Sequence, residues 1–403
     1  MTQSKLGQRE FVSLMALIMS LVALAIDAML PALQFIGKDL GLSNINDTQY
    51  IISSIFAGMA LGLIFFGPFS DSFGRKPAIL SGGAIYIIGC LISYFSGDFQ
   101  WMLIGRFLQG LGGASARVIT IAMIRDEYSG NKMAKIMSLI MIIFIIVPAF
   151  APSLGLLVMK FSHWRSIFSV MASIAFVAML WFYLRQPESL SKEKRAPFRL
   201  NRILSGVKET ITHRQSLPYL LSAGFSFGAF VGYLSLAQQI FQMKYKLGDQ
   251  FAIAFGGLAL CIGSASFMNS RLVERFGMLA LCKYALRVLF VLSSLGLLAN
   301  SLIPGGLSLV MFLIYMALSF FCVGILFGNF NALALQPLGH IAGVANSVIS
   351  AVQTGVSVIV GTLIGSFYDG DVLPLVFGYL CCSFISILLV EWGSRRKVLE
   401  SQA

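Results

Sequence analysis

Phe66-Gly67-Pro68-Phe69-Ser70-Asp71-Ser72-Phe73-Gly74-Arg75-Lys76-Pro77 is the point at which the chain shows its plan. A long apolar run stops in a short turn that gathers one acid, two bases and two glycines, and another apolar run follows at once. Charge at that density is out of keeping with its surroundings, because only 11% of the 403 residues are Asp, Glu, Lys or Arg. A soluble globular domain carries about 25%. With 57% hydrophobic residues and a mean hydropathy of +0.84, the chain has the composition of a membrane protein.

Outward from this loop, apolar runs recur from end to end. They fall at roughly 11–34, 48–70, 78–97, 101–124, 135–159 and 166–184, then at 217–240, 251–270, 279–299, 306–327, 341–367 and 373–392. Each is long enough to cross a hydrocarbon layer about 30 Å thick as a helix. Within that layer backbone polar groups have no water to bond, which selects helices over loops and open strands. The expected fold is therefore an all-α polytopic membrane protein. Its twelve transmembrane helices form two pseudo-symmetric six-helix halves, residues 1–184 and 216–403, joined by a polar linker at 185–215.

The net charge of +12 does not signal nucleic acid, because the bases are sorted by side. With both termini on one face, that face collects 21 of the 29 Lys and Arg residues, including Arg75, Lys76 and eight between Arg185 and Arg214. The opposite face has only Lys38, Lys160, Arg165, Lys244 and Lys246. Basic loops stay in the cytoplasm, so both ends are expected there. The short polar lead before the first span lacks a cleavage pattern, and that span is expected to be retained. Linker 185–215 reads either as a solvated tether or as a lipid-touching element drawn to anionic headgroups.

The two halves echo one another. Phe267 to Gly277 reads F-M-N-S-R-L-V-E-R-F-G, and laying Phe276-Gly277 on Phe73-Gly74 puts Glu274 opposite Asp71 at an offset of 203 residues, half the chain. Internal repeats of this kind build secondary transporters, with substrate sites near the midplane between repeats.

Asp27, in L-A-I-D-A-M-L-P-A, stands out among candidate functional residues. A charge within a span costs at least about 2.5–3.5 kcal/mol, so it faces a cavity or a partner. Burial favours the neutral acid and a nearby cation the carboxylate, which suits a proton or cation site; the alternative is a structural ion pair. Arg106, in L-I-G-R-F-L-Q-G-L-G-G-A-S, is the natural partner. At 1.5 Å per residue it lies about 7–8 Å below the surface where Asp27 lies about 10 Å below. Arg117 follows eleven residues later on nearly the same helical face, either lining the cavity or reaching a carbonyl or headgroup. Gly110, Gly112, Gly113 and Ala114 allow close helix packing. Pro148, Pro152 and Gly155 mark the fifth span as a bent, gating helix. In the second half, Tyr233 and Gln238 are substrate-cavity candidates.

No nucleotide-binding P-loop and no Cys/His metal spacing occurs, and His163, His213 and His340 are scattered. The six cysteines lie in or beside apolar runs and read as buried free thiols. No enzyme activity, metal or cofactor is expected.

Together, A-I-D-A-M-L-P-A-L (25–33), G-P-F-S-D-S-F-G-R-K-P (67–77), R-F-L-Q-G-L-G-G-A (106–114), P-A-F-A-P-S-L-G (148–155) and N-A-L-A-L-Q-P-L-G-H-I-A-G-V-A-N-S (331–347) resemble the drug:proton antiporter branch of the major facilitator superfamily, most closely its Bcr/CflA multidrug efflux group. I-R-D-E-Y (124–128) and W-R-S-I-F (164–168) add to the match. The resemblance implies a monomeric bacterial inner-membrane exporter that exchanges protons for small amphipathic molecules by alternating access. It assigns proton coupling to Asp27 and Arg106, and a conformational latch to Gly67, Asp71, Gly74, Arg75 and Lys76. Two departures stand out: Ser72 occupies a position usually held by Arg, and Ala151 precedes Pro152 where the antiporter motif has Gly. A metabolite or siderophore exporter and an uptake symporter on the same fold are the alternatives, with a non-transporting membrane sensor as a different class.

Overall fold

The computed structural model describes residues 6–197 and 200–402. Helices α1 (Gln8–Asp27), α3 (Gln49–Phe73), α4 (Arg75–Tyr94), α5 (Phe99–Glu127), α6 (Gly130–Phe161) and α7 (Arg165–Arg185) are the first six long ones, with a short α2 (Leu33–Asp39) continuing the line of chain after α1. A thirteen-residue helix α8 (Leu200–Thr212) follows. Six more long helices complete the chain: α9 (Leu217–Gln239), α10 (Phe251–Phe276), α11 (Met278–Leu302), α12 (Leu309–Leu335), α13 (Ala342–Ser366) and α14 (Leu373–Gln402). Among the described residues, eleven apolar segments are long enough to cross a membrane, and one of them, Leu309–Ser366, holds both α12 and α13, which makes twelve helices of crossing length. The third crossing starts at Arg75, directly after the loop, rather than near residue 78.

Two compact units divide the chain. One holds the described residues up to Ile45 with Tyr50–Leu204; the other holds Asn46–Gln49 with the residues from Ser205 on. Within each, the first long helix is the most enclosed, α1 in the first unit and α9 in the second. Large apolar side chains such as Phe65, Ile142, Leu157 and Phe176 remain exposed on the outer helix faces, as a lipid solvent permits.

The linker is not a uniform tether. Residues 186–196 are hydrogen-bonded into the first unit, and 200–212 form α8. The tight glycine packing expected of α5 is present: β-carbons on Gly110 and Gly112 would strike the backbones of α3 and α4.

Candidate functional site

Asp27 is the last residue of α1, and it sits at a break in the backbone. Proline at position 31 has no N–H to give the carbonyl four residues back, which is that of Asp27. The chain accordingly leaves the α-helix at Ala28, makes a short 3-10 turn over Leu30–Ala32, and resumes as α2. Asp27 is 5% exposed, and no ion pair joins it to Arg106 among the described residues.

Arg106 is fully buried and does different work from the ion pair expected of it. Its Nη2 donates to the Ala25 carbonyl at 2.7 Å, Nη1 to Gln109 Oε1 at 2.5 Å and Nε to the Ile51 carbonyl at 3.4 Å. Its guanidinium stands 5.9 Å from the centre of the Phe168 ring. The last carbonyls of a helix have no partner within it and carry negative partial charge. Arg106 therefore caps the end of α1 one turn before the break, and Gln109, which also donates to Ser93 Oγ at 3.4 Å, holds it there. Similar depth does not make the two side chains partners, because the rotation of each helix directs the arginine to neutral acceptors.

The proline-bearing α6 packs on the same place. It stays a single helix through Pro148 and Pro152, and its Gly155 lies against Ala28, where a β-carbon would collide with the Ala28 carbonyl oxygen. Asp27, Arg106 and Gly155 thus converge on the break at the end of α1. Arg117 is half-buried on α5.

The second cluster is the loop between α3 and α4. Gly74 takes a φ of 107°, a value side-chain-bearing residues rarely adopt, and lets α4 begin at the next residue. Arg75 then turns back: Nη1 bonds Asp71 Oδ1 at 2.5 Å and Ser70 Oγ at 2.8 Å, while Nε bonds Asp126 Oδ2 at 2.9 Å. Ser70 Oγ in turn donates to the Gly67 carbonyl at 2.9 Å. Lys76 Nζ donates to the Tyr183 carbonyl at 2.7 Å.

Glu188 completes this cluster, and sequence reasoning missed it. Its carboxylate accepts from the backbone N–H groups of Arg75 at 2.9 Å and Lys76 at 3.1 Å, capping α4 where the helix dipole favours an anion. Arg195 approaches Glu188 at 3.8 Å, and Ala196 N–H donates to the Asp71 carbonyl at 3.1 Å. The signal available was only an acid in a polar segment, just after the sixth span. The equivalent glycine of the second half, Gly277, also has a positive φ, 75°, between α10 and α11. No ion pair involves Arg271, Glu274 or Arg275 among the described residues; Arg271 and Arg275 lie over the Phe267 and Phe276 rings instead.

Tyr233 and Gln238 do not line open space. Tyr233 is enclosed by the rings of Phe320 and Phe255, at 4.8 and 5.9 Å, and Gln238 is 2% exposed. At the far end of α9, Lys244 pairs with Asp371. Asp371 also accepts from Asn300 Nδ2 and the Val372 N–H, at 2.8 and 2.7 Å. Burial works to raise the Asp371 pKa, but the bonds from Lys244, Asn300 and Val372 outweigh it and hold the carboxyl below its ordinary range. Among the described residues no three His, Cys, Asp or Glu side chains group in a way that could hold a metal.

A sequence profile described as Major Facilitator Superfamily matches residues 15–362. The chain belongs to the major facilitator superfamily. It is 32% identical over 392 residues to the "Bicyclomycin resistance protein homolog" of Haemophilus influenzae, a match covering 96% of this chain and 97% of that one. To the "Multidrug resistance protein MdtL" of Klebsiella pneumoniae it is 29% identical, with 91% of each chain covered. The xylose transporter XylE of E. coli has the same fold, with a TM-score of 0.72 at 14% identity over 94% of this chain and 95% of that one. As a major facilitator the chain is a multi-pass transporter of small molecules and not an enzyme, in keeping with the Bcr/CflA-like motifs.

Proposed function

We propose that this major facilitator exports small amphipathic drugs or toxic compounds across a bacterial inner membrane, in exchange for protons. The relatives named for bicyclomycin and multidrug resistance support the substrate class. The observation that carries the coupling is Asp27, a buried acid without a counter-ion among the described residues, at the end of a broken helix. Such a carboxyl group can hold a proton while enclosed and release it when the break admits water or a cationic substrate. Arg106 secures the end of α1 during this exchange rather than neutralising the acid. The Gly67–Lys76 loop, with Asp126 and Glu188, serves as the latch of one conformation. Transport proceeds by alternating access, both termini lie in the cytoplasm, and the working unit is a monomer.

Efflux from everted vesicles tests the reading. Asp27→Asn should abolish export driven by a pH gradient while the protein still inserts and binds substrate. Full gradient-driven efflux by that variant would overturn it. Counterflow with the sign of proton movement separates export from symport.

A further inference from the structure

At one end of the first unit, the turn joining α6 to α7 closes over the end of α2 and the end of α4. Between them lies a cavity of about 710 Å³. Its frame is fixed by polar bonds. Arg165 pairs with Asp39 and donates to the Ser96 carbonyl at 3.1 Å, and Trp164 Nε1 donates to Asp39 at 3.2 Å. Arg165 also stacks 4.1 Å from the centre of the Trp164 ring. The single carboxylate of the cavity is therefore already matched by a cation.

That leaves Lys38, exposed and lining the same cavity without a carboxylate partner among the described residues, while the exposed His163 faces Asp39. The hollow presents net positive charge towards an incoming group. Its remaining wall is part aromatic, with Phe35 55% exposed and Tyr94 half-buried, and part hydroxyl, from Ser162 and Ser166. Close along the chain, Phe95 and Phe161 are 76% and 80% exposed, forming an apolar fringe beside the cationic one. Tyrosine and tryptophan, here Tyr94 and Trp164, collect where a bilayer meets water, and lysine binds phosphate as a point charge.

We propose that this cavity binds the phosphate of an anionic phospholipid headgroup, with the start of an acyl chain lying over Phe35. Size separates this ligand from a free anion. The volume equals on the order of twenty water molecules, far more than a bare phosphate ion fills, and the apolar fringe gives such an ion nothing. The inference requires only that the chain spans a membrane, not that it exports drugs.

Native mass spectrometry of the detergent-purified protein tests it, with phosphatidylglycerol, phosphatidylcholine and inorganic phosphate as separate probes. The intact protein should retain phosphatidylglycerol in preference to phosphatidylcholine by about fivefold, the scale of about 1 kcal/mol expected of one lysine near an anionic surface. The Lys38→Gln variant should lose that preference, and Phe35→Ser should weaken lipid retention. Lys38 is exposed, so the variant is expected to fold, and an unchanged melting temperature checks this. Equal binding of the two lipids, an undiminished preference in the folded Lys38→Gln variant, or displacement of phosphatidylglycerol by millimolar inorganic phosphate would overturn the assignment.

Discussion

Gly155 of α6 runs so close to Ala28 that a β-carbon on it would meet the Ala28 carbonyl oxygen, one residue beyond Asp27. The proline-bearing helix and the break in α1 therefore meet backbone to backbone at this crossing. Any side chain at position 155 must push α6 away from the acid.

Gly155→Ala should lower stability by about 1–3 kcal/mol, the usual cost of overpacking a tight contact. It should also slow efflux more than it weakens substrate binding, since it alters the break in α1. Gly257, where an added β-carbon would meet nothing within 4 Å, supplies the control. Gly257→Ala should leave the melting temperature unchanged or raise it, because alanine is the better helix former.

Removing the arginine and neutralising the acid should separate stability from coupling. Arg106→Ala strands the Ala25 carbonyl and the Gln109 amide oxygen in a buried site, at about 1–3 kcal/mol for each unsatisfied group. Arg106→Lys should recover only part of this, since an ammonium cannot reach three acceptors spread over α1, α3 and α5 in the way a guanidinium does. Asp27→Asn breaks no ion pair and should leave the melting temperature unchanged or higher while ending proton-driven transport. Thermal melts in detergent paired with vesicle efflux measure both.

Glu188→Ala should remove the cap from α4 and release the segment behind it. Loss of a cap costs about 0.5–2 kcal/mol. The sharper readout is limited trypsin digestion. Cleavage at Lys192 and Arg195 should quicken in Glu188→Ala and change little in Glu193→Gln, whose side chain is exposed.

Asp371 predicts an acid limit for the second unit. Its folded-state pKa is depressed, so its contribution to stability is complete above the ordinary aspartate value of about 3.9. That contribution is lost as the pH falls through the lowered value. Asp371→Asn should flatten the pH dependence of thermal unfolding below about pH 4. An unchanged slope would show that Lys244 and Asn300 do not hold the carboxylate.

Much of the fold could be read from composition, because lipid leaves a 20-residue apolar run few options other than a helix. The repeat was readable too: Gly74 and Gly277, aligned by sequence alone, share a positive φ between consecutive helices. Asp27 was conspicuous because an acid at that depth is rare. Its lack of an arginine partner was not, since depth along two helices says nothing about how each is rotated, and Arg106 turns to carbonyls instead. The polarity of Tyr233 and Gln238 suggests a cavity, whereas the rings around Tyr233 make it part of the packed interior. Glu188 and α8 were hidden for a common reason. In a polar connection, a capping acid and a short helix resemble solvated chain until the groups they contact are known.

The docking of residues 186–196 also sets where this chain can be cut and rejoined. A hybrid that joins its front portion to the rear portion of a relative at the end of α7 would import a foreign Glu188 equivalent, and with it a mismatched cap for α4. Splicing after Ala196, where the last bond back to Asp71 is made, keeps the donor's loop and its cap together. Chimeras with the seam at that position are the ones expected to fold and to report on the origin of substrate preference.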